Sequence, residues 1–147
     1  MKRIRIKQVD AFTTVPFGGN PAGVVTDATD LTDGEMQAIA REMNLSETAF
    51  VTPSQEADFR VRFFTPLKEI GLAGHPTIAT MHALVEEGRI RLHEGVTTVT
   101  QQLNVGVLPV EIYASGGKVQ QIVMTQKQPE FMSNHSHAEW ARAFGIP

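Results

Sequence analysis

Residues 71–80 read GLAGHPTIAT, and the fold is predicted outward from this stretch. A histidine stands between a glycine and a proline where an apolar helical pattern begins. Proline is favoured at the first position of a helix, so Pro76 predicts a helix over 76–87 with His75 as its N-cap. The middle of the segment, TIATMHALV, is apolar nearly all round, so we expect other structure to enclose this helix.

The predicted helix start also has the chemistry of an anion site. The first N–H groups of a helix, here from Thr77 onward, lack partners within it and, with the helix dipole, attract a carboxylate. Gly74 leaves the approach open, and its N–H can donate to developing negative charge. The residues alone leave open a simpler interpretation, in which Gly-His-Pro only marks a strand-to-helix turn.

Two further polar residues stand beside predicted turns. In NLSETAF, residues 44–50, Glu47 follows a predicted helix and precedes an apolar strand, with Ser46 beside it. A partly desolvated carboxylate there can carry a proton back and forth, and a solvated loop residue is the alternative. Asn20, in GGNPAG, offers amide donors to a ligand carboxylate or serves only as a turn residue.

Composition excludes several classes of function. The chain has 147 residues, of which 41% are hydrophobic, no cysteine, and a formal net charge of -3 from interspersed charges. These values predict one compact domain, exclude thiol chemistry, and argue against a nucleic-acid partner. The N-terminal segment MKRIRIKQVDAF has no continuous apolar run, so we expect no membrane association and a cytoplasmic location.

No metal or nucleotide cofactor is predicted. His75 and His82 lie too far apart along a helix to share one metal ion without a third ligand. His135 and His137 have no acidic or cysteine partner nearby in the sequence. The sequence has no Walker loop, no GxGxxG after a strand and no GxSxG elbow.

The periodicity of the chain predicts an α+β protein. Thr32 and Glu35 form a capping box for a helix over 32–43, and Ser136 and Glu139 form another before Trp140. Strands are predicted over 3–12, 22–26, 48–52 and 58–64, within 97–115, and over 118–126, the last two joined at Gly116–Gly117.

Three segments together resemble one family. VDAFTTVPFGGNPAGVV (9–25), MQAIAREMNLSETAFV (36–51) and RFFTPLKEIGLAGHPTIAT (62–80) are similar to the PhzF-type phenazine-biosynthesis isomerases, relatives of diaminopimelate epimerase. The resemblance covers the chain as an amino-terminal half. It implies that residues 1–131 form an epimerase-like domain, with a mostly antiparallel, barrel-like sheet around a central helix. Residues 132–147 would then contain a helix that leads toward a second domain.

The resemblance also implies a reaction and a site. Glu47 is expected to carry the proton in a cofactor-independent isomerisation of a small carboxylic acid like dihydro-hydroxyanthranilate. Gly74 and His75 are expected to bind and orient the substrate, and His75 counts with Glu47 as catalytic. The substrate-binding set expected on this basis is Asn20, Ser46, Gly74, His75, Pro76 and Thr77.

Two departures from the family qualify this interpretation. Ala73 precedes Gly-His, and the chain has no cysteine, so two-thiol racemisation of the epimerase type is excluded. Family members are about twice this long, so a second domain or complementary chain would complete the site, and a homo-oligomer is expected. The alternative is a non-catalytic half-domain that binds small acids or self-associates.

Overall fold

The structure is a computed structural model, and it describes residues 2–146. In this range the chain forms eight strands and three helices, which confirms the predicted α+β class. The elements are β1 (Lys7–Ala11), β2 (Asn20–Val25), α1 (Asp33–Met43), β3 (Thr48–Thr52), β4 (Phe59–Phe64), β5 (Glu69–Ile70), α2 (Gly74–Glu86), β6 (Gly95–Leu103), β7 (Gly106–Ser115), β8 (Lys118–Met124) and α3 (His137–Phe144).

All eight strands belong to one sheet. Seven of them follow the order β1-β2-β3-β4-β6-β7-β8, and β5 pairs with β4 beside this path. Most neighbours are antiparallel, whereas β2 is parallel to β3 and β4 is parallel to β6. The parallel pair β2–β3 aligns Gly23 with Thr48, which brings the start of β3 against the middle of β2.

The sheet stays open within residues 2–146. Its first and last strands, β1 and β8, do not pair with each other there. Both lie against α2, which also contacts β2 and β3. The expected barrel-like closure is therefore not confirmed, because the two ends of the sheet meet the helix and not one another.

Helices α1 and α2 cover opposite faces of the sheet. On the α2 side, Met81 and Leu84 are fully buried in the largest apolar cluster with Phe63 of β4. On the α1 side, Phe50 and Phe64 meet edge to face with ring centroids 5.4 Å apart. Side chains alternate between the two faces along β3 and β4, which is why adjacent phenylalanines 63 and 64 enter different clusters.

Several local predictions are confirmed. The Thr32 hydroxyl accepts from the Glu35 N–H, and the Glu35 carboxylate accepts from the Thr32 N–H, as a capping box requires. Asn44 ends α1 in the left-handed conformation, with φ 50. The hairpin between β7 and β8 turns at Gly116 and Gly117, where φ is 58 and 72.

Other boundaries differ from the prediction. Helix α2 begins at Gly74 with Ala73 as its N-cap, so the prediction of His75 as N-cap is wrong. The Thr77 hydroxyl donates to the Ala73 carbonyl at 2.8 Å, which fixes a helical turn two residues earlier than Pro76 indicated. Strand β1 is shorter than 3–12, and β2 begins at Asn20 because Asn20 pairs with Ala11.

The end of the chain does not belong to either of the two apolar clusters. Residues 125–136 form no helix or strand and are exposed, and α3 follows with no buried residue. Its capping box of Ser136 and Glu139 is as predicted. None of the helices in residues 2–146 has the length and apolar character needed to cross a membrane. The division of the chain at residue 131 remains a prediction.

Candidate active site

Glu47 is held at the end of the sheet where β3 begins. Helix α1 ends at Met43, the left-handed Asn44 reverses the chain, and Glu47 directly precedes the first residue of β3. Its carbonyl accepts from the Gly23 N–H at 3.2 Å, which ties its backbone to β2. The side chain is only 20% exposed, so the carboxylate is largely shielded from solvent although it stands outside a regular element.

The His75 side chain, at the start of α2, lies next to the Glu47 carboxylate. His75 is the second residue of α2, and its side chain is 11% exposed. Its Nε2 lies 3.4 Å from Oε2 of Glu47. Neither atom is accessible to solvent, and neither makes a hydrogen bond with any group in residues 2–146. The two residues that the sequence singled out separately, 28 positions apart, are therefore neighbours in space.

Backbone donors stand at the start of the helix that carries His75. Within residues 2–146 no side chain caps α2, and Ala73, Gly74 and His75 stand at its start, where N–H groups have no partner in the helix. A Cβ on Gly74 would meet no other atom within 4 Å, so the space in front of this residue is open. The helix start can receive an anion beside the Glu47–His75 pair.

Pro76 and Thr77 lie inside this first turn and are buried. Proline has no N–H, and the Thr77 hydroxyl already donates to the Ala73 carbonyl. Their side chains build the turn, and the assignment of both to substrate binding remains a prediction.

Asn20 and Ser46 remain predicted site residues. Ser46 is exposed and precedes Glu47 in the chain. Asn20 is the exposed first residue of β2, opposite Ala11 of β1. Neither side chain makes a hydrogen bond to Glu47 or His75 in the described part of the chain. The structure thus brings Glu47 and His75 together, and Asn20 and Ser46 lie at the same end of the sheet.

Thr48 is a neighbour of Glu47 that the predicted substrate-binding set leaves out. It follows Glu47, is fully buried, and its Oγ1 has no hydrogen-bond partner in residues 2–146. A Cβ on Gly23 would lie 2.9 Å from this oxygen, so glycine at that position makes room for the threonine. The signal was a glycine inside the predicted strand at 22–26, which often marks a close approach.

A second missed feature supports the segment that leads into α2. Arg62 of β4 binds Glu69 of β5 through two hydrogen bonds of 2.8 and 2.7 Å, and it also binds Asp33 of α1. The Arg62 guanidinium holds the pKa of the Glu69 carboxyl below its usual value of 4.5. Because β5 directly precedes residues 71–75, this ion pair fixes the chain just before His75.

The described residues contain no metal centre. No three histidine, aspartate or glutamate side chains in residues 2–146 come close enough together to hold an ion. What the site offers is one shielded carboxylate, one imidazole and the backbone donors of a helix start. These groups suit proton transfer on a small anion.

Comparison with known proteins places this arrangement in a family. The family model PhzC-PhzF, described as "Phenazine biosynthesis-like protein", matches residues 9–146. The chain belongs to the PhzC-PhzF family. The resemblance seen in the sequence is thereby confirmed. The matched residues include Glu47 and the start of α2 with His75.

Two relatives in this family are named as isomerases. "Uncharacterized isomerase YfhB" of Bacillus subtilis (strain 168) is 41% identical over 131 residues, covering 89% of this chain and 43% of the relative. "Trans-2,3-dihydro-3-hydroxyanthranilate isomerase" of Pseudomonas aeruginosa is 39% identical over 140 residues, covering 94% of this chain and 48% of the relative. The chain spans less than half the length of these relatives.

Solved structures agree with the family assignment. A PhzF-family phenazine biosynthesis protein of Bacillus anthracis matches with a TM-score of 0.73 and 42% identity, over 81% of this chain and 39% of that one. A probable proline racemase of Agrobacterium radiobacter matches with a TM-score of 0.66 at 15% identity, over 84% of this chain and 41% of that one. The second likeness concerns the fold alone.

Proposed function

We propose that this chain forms one half of a cofactor-independent isomerase that moves a proton on a small carboxylic acid. The observation that carries the proposal is the Glu47–His75 pair, whose facing atoms lie 3.4 Å apart, shielded from solvent and without other partners in residues 2–146. Such atoms are free to bond to a substrate that enters between them or beside them.

In this proposal each group has one role. The N–H groups of Gly74 and His75 bind the substrate carboxylate at the start of α2. The Glu47 carboxylate accepts a proton from a carbon of the substrate, and the electron pair of the broken C–H bond moves into the neighbouring unsaturated system. Glu47 then returns the proton to a different carbon, so no cofactor is consumed. The His75 imidazole orients the Glu47 carboxylate and the bound substrate acid.

The substrate class is inferred from a relative. The Pseudomonas aeruginosa relative is named for trans-2,3-dihydro-3-hydroxyanthranilate, which is a small carboxylic acid of the kind that a helix start accommodates. We infer an acid of this class for the present chain. Because the relatives are about twice as long, a second domain or complementary chain is proposed to close the site, in a cytoplasmic homo-oligomer.

Deuterium exchange tests the role of Glu47. The named dihydro acid is incubated in D₂O with this chain joined to the second half of the Bacillus subtilis relative, and deuterium at carbon is followed by NMR. We expect exchange with Glu47 and a loss of at least about 100-fold in Glu47→Gln. Glu42→Gln, a change at an exposed carboxylate of α1, is the matched control and should exchange normally. Full exchange in Glu47→Gln would remove Glu47 as the proton carrier.

Self-association without catalysis is the second candidate. The observation that favours it is the exposed apolar side of α3, where Trp140 and Phe144 stack with ring centroids 5.6 Å apart while remaining 50% and 68% exposed. An apolar surface of this kind commonly marks an interface. Sedimentation of the chain alone should then show a dimer or larger species, and a clean monomer at high concentration would count against this candidate.

A further inference from the structure

A cavity lies at the end of the sheet opposite to the Glu47–His75 pair. It is lined by Thr26, which follows β2, and by Arg89, which lies beyond the last turn of α2. Residues 2–5 form the facing wall. We call this space the arginine cavity. Helix α2 has 13 residues and is therefore about 20 Å long, so the cavity is separate from the candidate active site at the start of the helix.

The arginine cavity has the size and the floor of a small-molecule site. Its volume is about 470 Å³. This value lies within the roughly 300–1,000 Å³ that is usual for such sites. Ile4 and Leu31 line it, and both side chains also pack against the apolar cluster beneath α1. The cavity thus offers an apolar floor to the carbon part of a ligand.

Three arginines surround this floor. In the segment that leads into β1, Arg3 and Arg5 alternate with Ile4 and Ile6. The two isoleucines pack against the cluster beneath α1, whereas the two arginines are exposed and line the cavity. Arg89 lines the opposite wall. In the described part of the chain, none of the three arginines forms a salt bridge with a carboxylate.

The carboxylates of the cavity do not neutralise these arginines. Glu87 is engaged with Lys7, whose Nζ lies 3.1 Å from Glu87 Oε1. Asp27 accepts from the hydroxyl of Thr29 at 2.8 Å. The third carboxylate, Asp30, is exposed. Three unpaired guanidinium groups therefore face one carboxylate that has no partner in residues 2–146, so the cavity attracts an anion.

The end of α2 does not compete for these arginines through its carbonyl groups. The C-terminus of a helix is negative because its last carbonyls lack partners. Here the carbonyls of residues 83–85 accept from the N–H groups of residues 87–89, at 2.9 to 3.1 Å. Three of the last four carbonyls of the helix are thus already hydrogen-bonded within the turn.

Both walls of the arginine cavity are held in place. The Arg89 guanidinium donates to the Thr26 carbonyl, which fixes one wall. On the other wall, Lys2 donates to the Glu35 carboxylate at 2.9 Å and to the Asp30 carbonyl at 2.6 Å. Because these contacts form without a ligand, little further ordering is needed when an anion binds.

We propose that the arginine cavity binds a small phosphorylated molecule, whose phosphate is held by Arg3, Arg5 and Arg89. The planar fork of a guanidinium group matches two phosphate oxygens at once, and it remains charged at any physiological pH. The carbon part of the ligand rests on Ile4 and Leu31. The site goes beyond the proposed isomerase reaction, because it lies apart from the candidate active site and its ligand does not compete with the substrate acid.

Titration calorimetry with inorganic pyrophosphate tests the proposal. The chain alone, and the chain joined to the second half of the Bacillus subtilis relative, should both bind pyrophosphate. Arg5→Gln should weaken binding at least about tenfold, because a charged hydrogen-bonding partner is lost. Arg41→Gln removes another exposed arginine, in the last turn of α1, and should bind like wild type. Equal affinity in wild type and Arg5→Gln, or loss of binding in the joined protein, would overturn the proposal.

NMR mapping locates the bound anion without any substitution. Pyrophosphate should shift the amide signals of residues 2–5, 26–31 and 87–89. Shifts confined to residues 73–77 would overturn the proposal, because the anion would then occupy the start of α2. Circular dichroism of Arg5→Gln should match wild type, since residue 5 is exposed, which shows that any weaker binding is not caused by unfolding.

Citrate tests the assignment to phosphate. It carries three carboxylates on a small carbon skeleton, and we expect it to bind more weakly than pyrophosphate. Citrate binding that is tighter by about tenfold would overturn the phosphate assignment. All of these measurements can be repeated in Glu47→Gln, because they do not depend on catalysis. Their outcome is therefore independent of whether the proposed isomerase reaction is correct.

Discussion

Replacing Gln101 with methionine should stabilise the protein. Gln101 lies on β6 with its side chain fully buried, in line with Val99 and Leu103 of the apolar core. Neither Oε1 nor Nε2 makes a hydrogen bond to any group in residues 2–146. A buried polar group without a partner costs about 1–3 kcal/mol, whereas methionine has a similar length and no such group. Gln101 is thus a polar side chain in an apolar site.

The magnitude follows from these values. Removing the unpaired amide should raise the free energy of unfolding by about 2 kcal/mol, after a small loss for imperfect packing of the new side chain. For a chain of this size, each kcal/mol shifts Tm by about 2–4 °C, so we expect an increase of about 4–8 °C. Urea and thermal unfolding, followed by circular dichroism, measure both quantities.

The adjacent glutamine provides a matched control. Gln102 accepts from the Ser54 hydroxyl at 2.8 Å and donates to Glu56 at 2.9 Å, so its amide is satisfied. Gln102→Met should leave stability unchanged or lower it slightly. The reasoning is refuted if Gln101→Met lowers Tm or matches Gln102→Met, because the Gln101 amide would then have a partner such as a trapped water molecule.

Three further predictions concern backbone space and charge. Gly19→Ala should destabilise the protein by at least about 2 kcal/mol, because its Cβ would overlap the Ala11 carbonyl oxygen; unfolding at the wild-type urea midpoint would contradict this. Gly34→Ala, in α1 with no atom within 4 Å of the new Cβ, should instead stabilise by about 0.5–1 kcal/mol, and a loss of stability would show that the site is not open. Arg62 lowers the Glu69 pKa, so their interaction is fully present above the ordinary glutamate pKa and is lost as pH falls through the lowered value. Glu69→Gln should therefore be less stable than wild type near neutral pH, with the difference narrowing in acid, and a difference independent of pH would refute the pairing.

Local chemistry made part of the fold predictable. The capping box of Thr32 and Glu35, the αL residue Asn44 and the glycine pair at 116–117 each act within a few residues, and the structure contains all three. Strand β3 was predicted with its observed ends because Pro53 and the preceding turn bound an apolar run.

Features that depend on distant contacts were not predictable in the same way. The helix start at Gly74 is an exception, because Pro76 indicated a later start by local preference although the bond from Thr77 to Ala73 is itself local. Strand β5 has only two residues and exists through pairing with β4 and the Arg62–Glu69 ion pair. The open sheet is also non-local, since nothing in β1 or β8 alone reveals whether the two strands meet.

The site was predicted in two steps of different kinds. Residue chemistry selected Glu47 and His75 as candidates, but by itself it favoured a simple turn at His75 and a solvated loop carboxylate at Glu47. The family resemblance linked the two, and the structure brings their side chains to 3.4 Å. Sequence patterns could not provide this distance, because it depends on the parallel alignment of Gly23 with Thr48 and on the approach of α2.

A crystal structure of the Glu47→Gln variant, joined to the second half of the relative and bound to a hydroxyanthranilate, tests the central claim most directly. We predict that the ligand carboxylate accepts from the N–H groups of Gly74 and His75 at about 2.7–3.2 Å, and that the residue 47 side chain faces a ring carbon. A ligand bound away from the start of α2, or a residue 47 side chain directed to bulk solvent, would contradict the account.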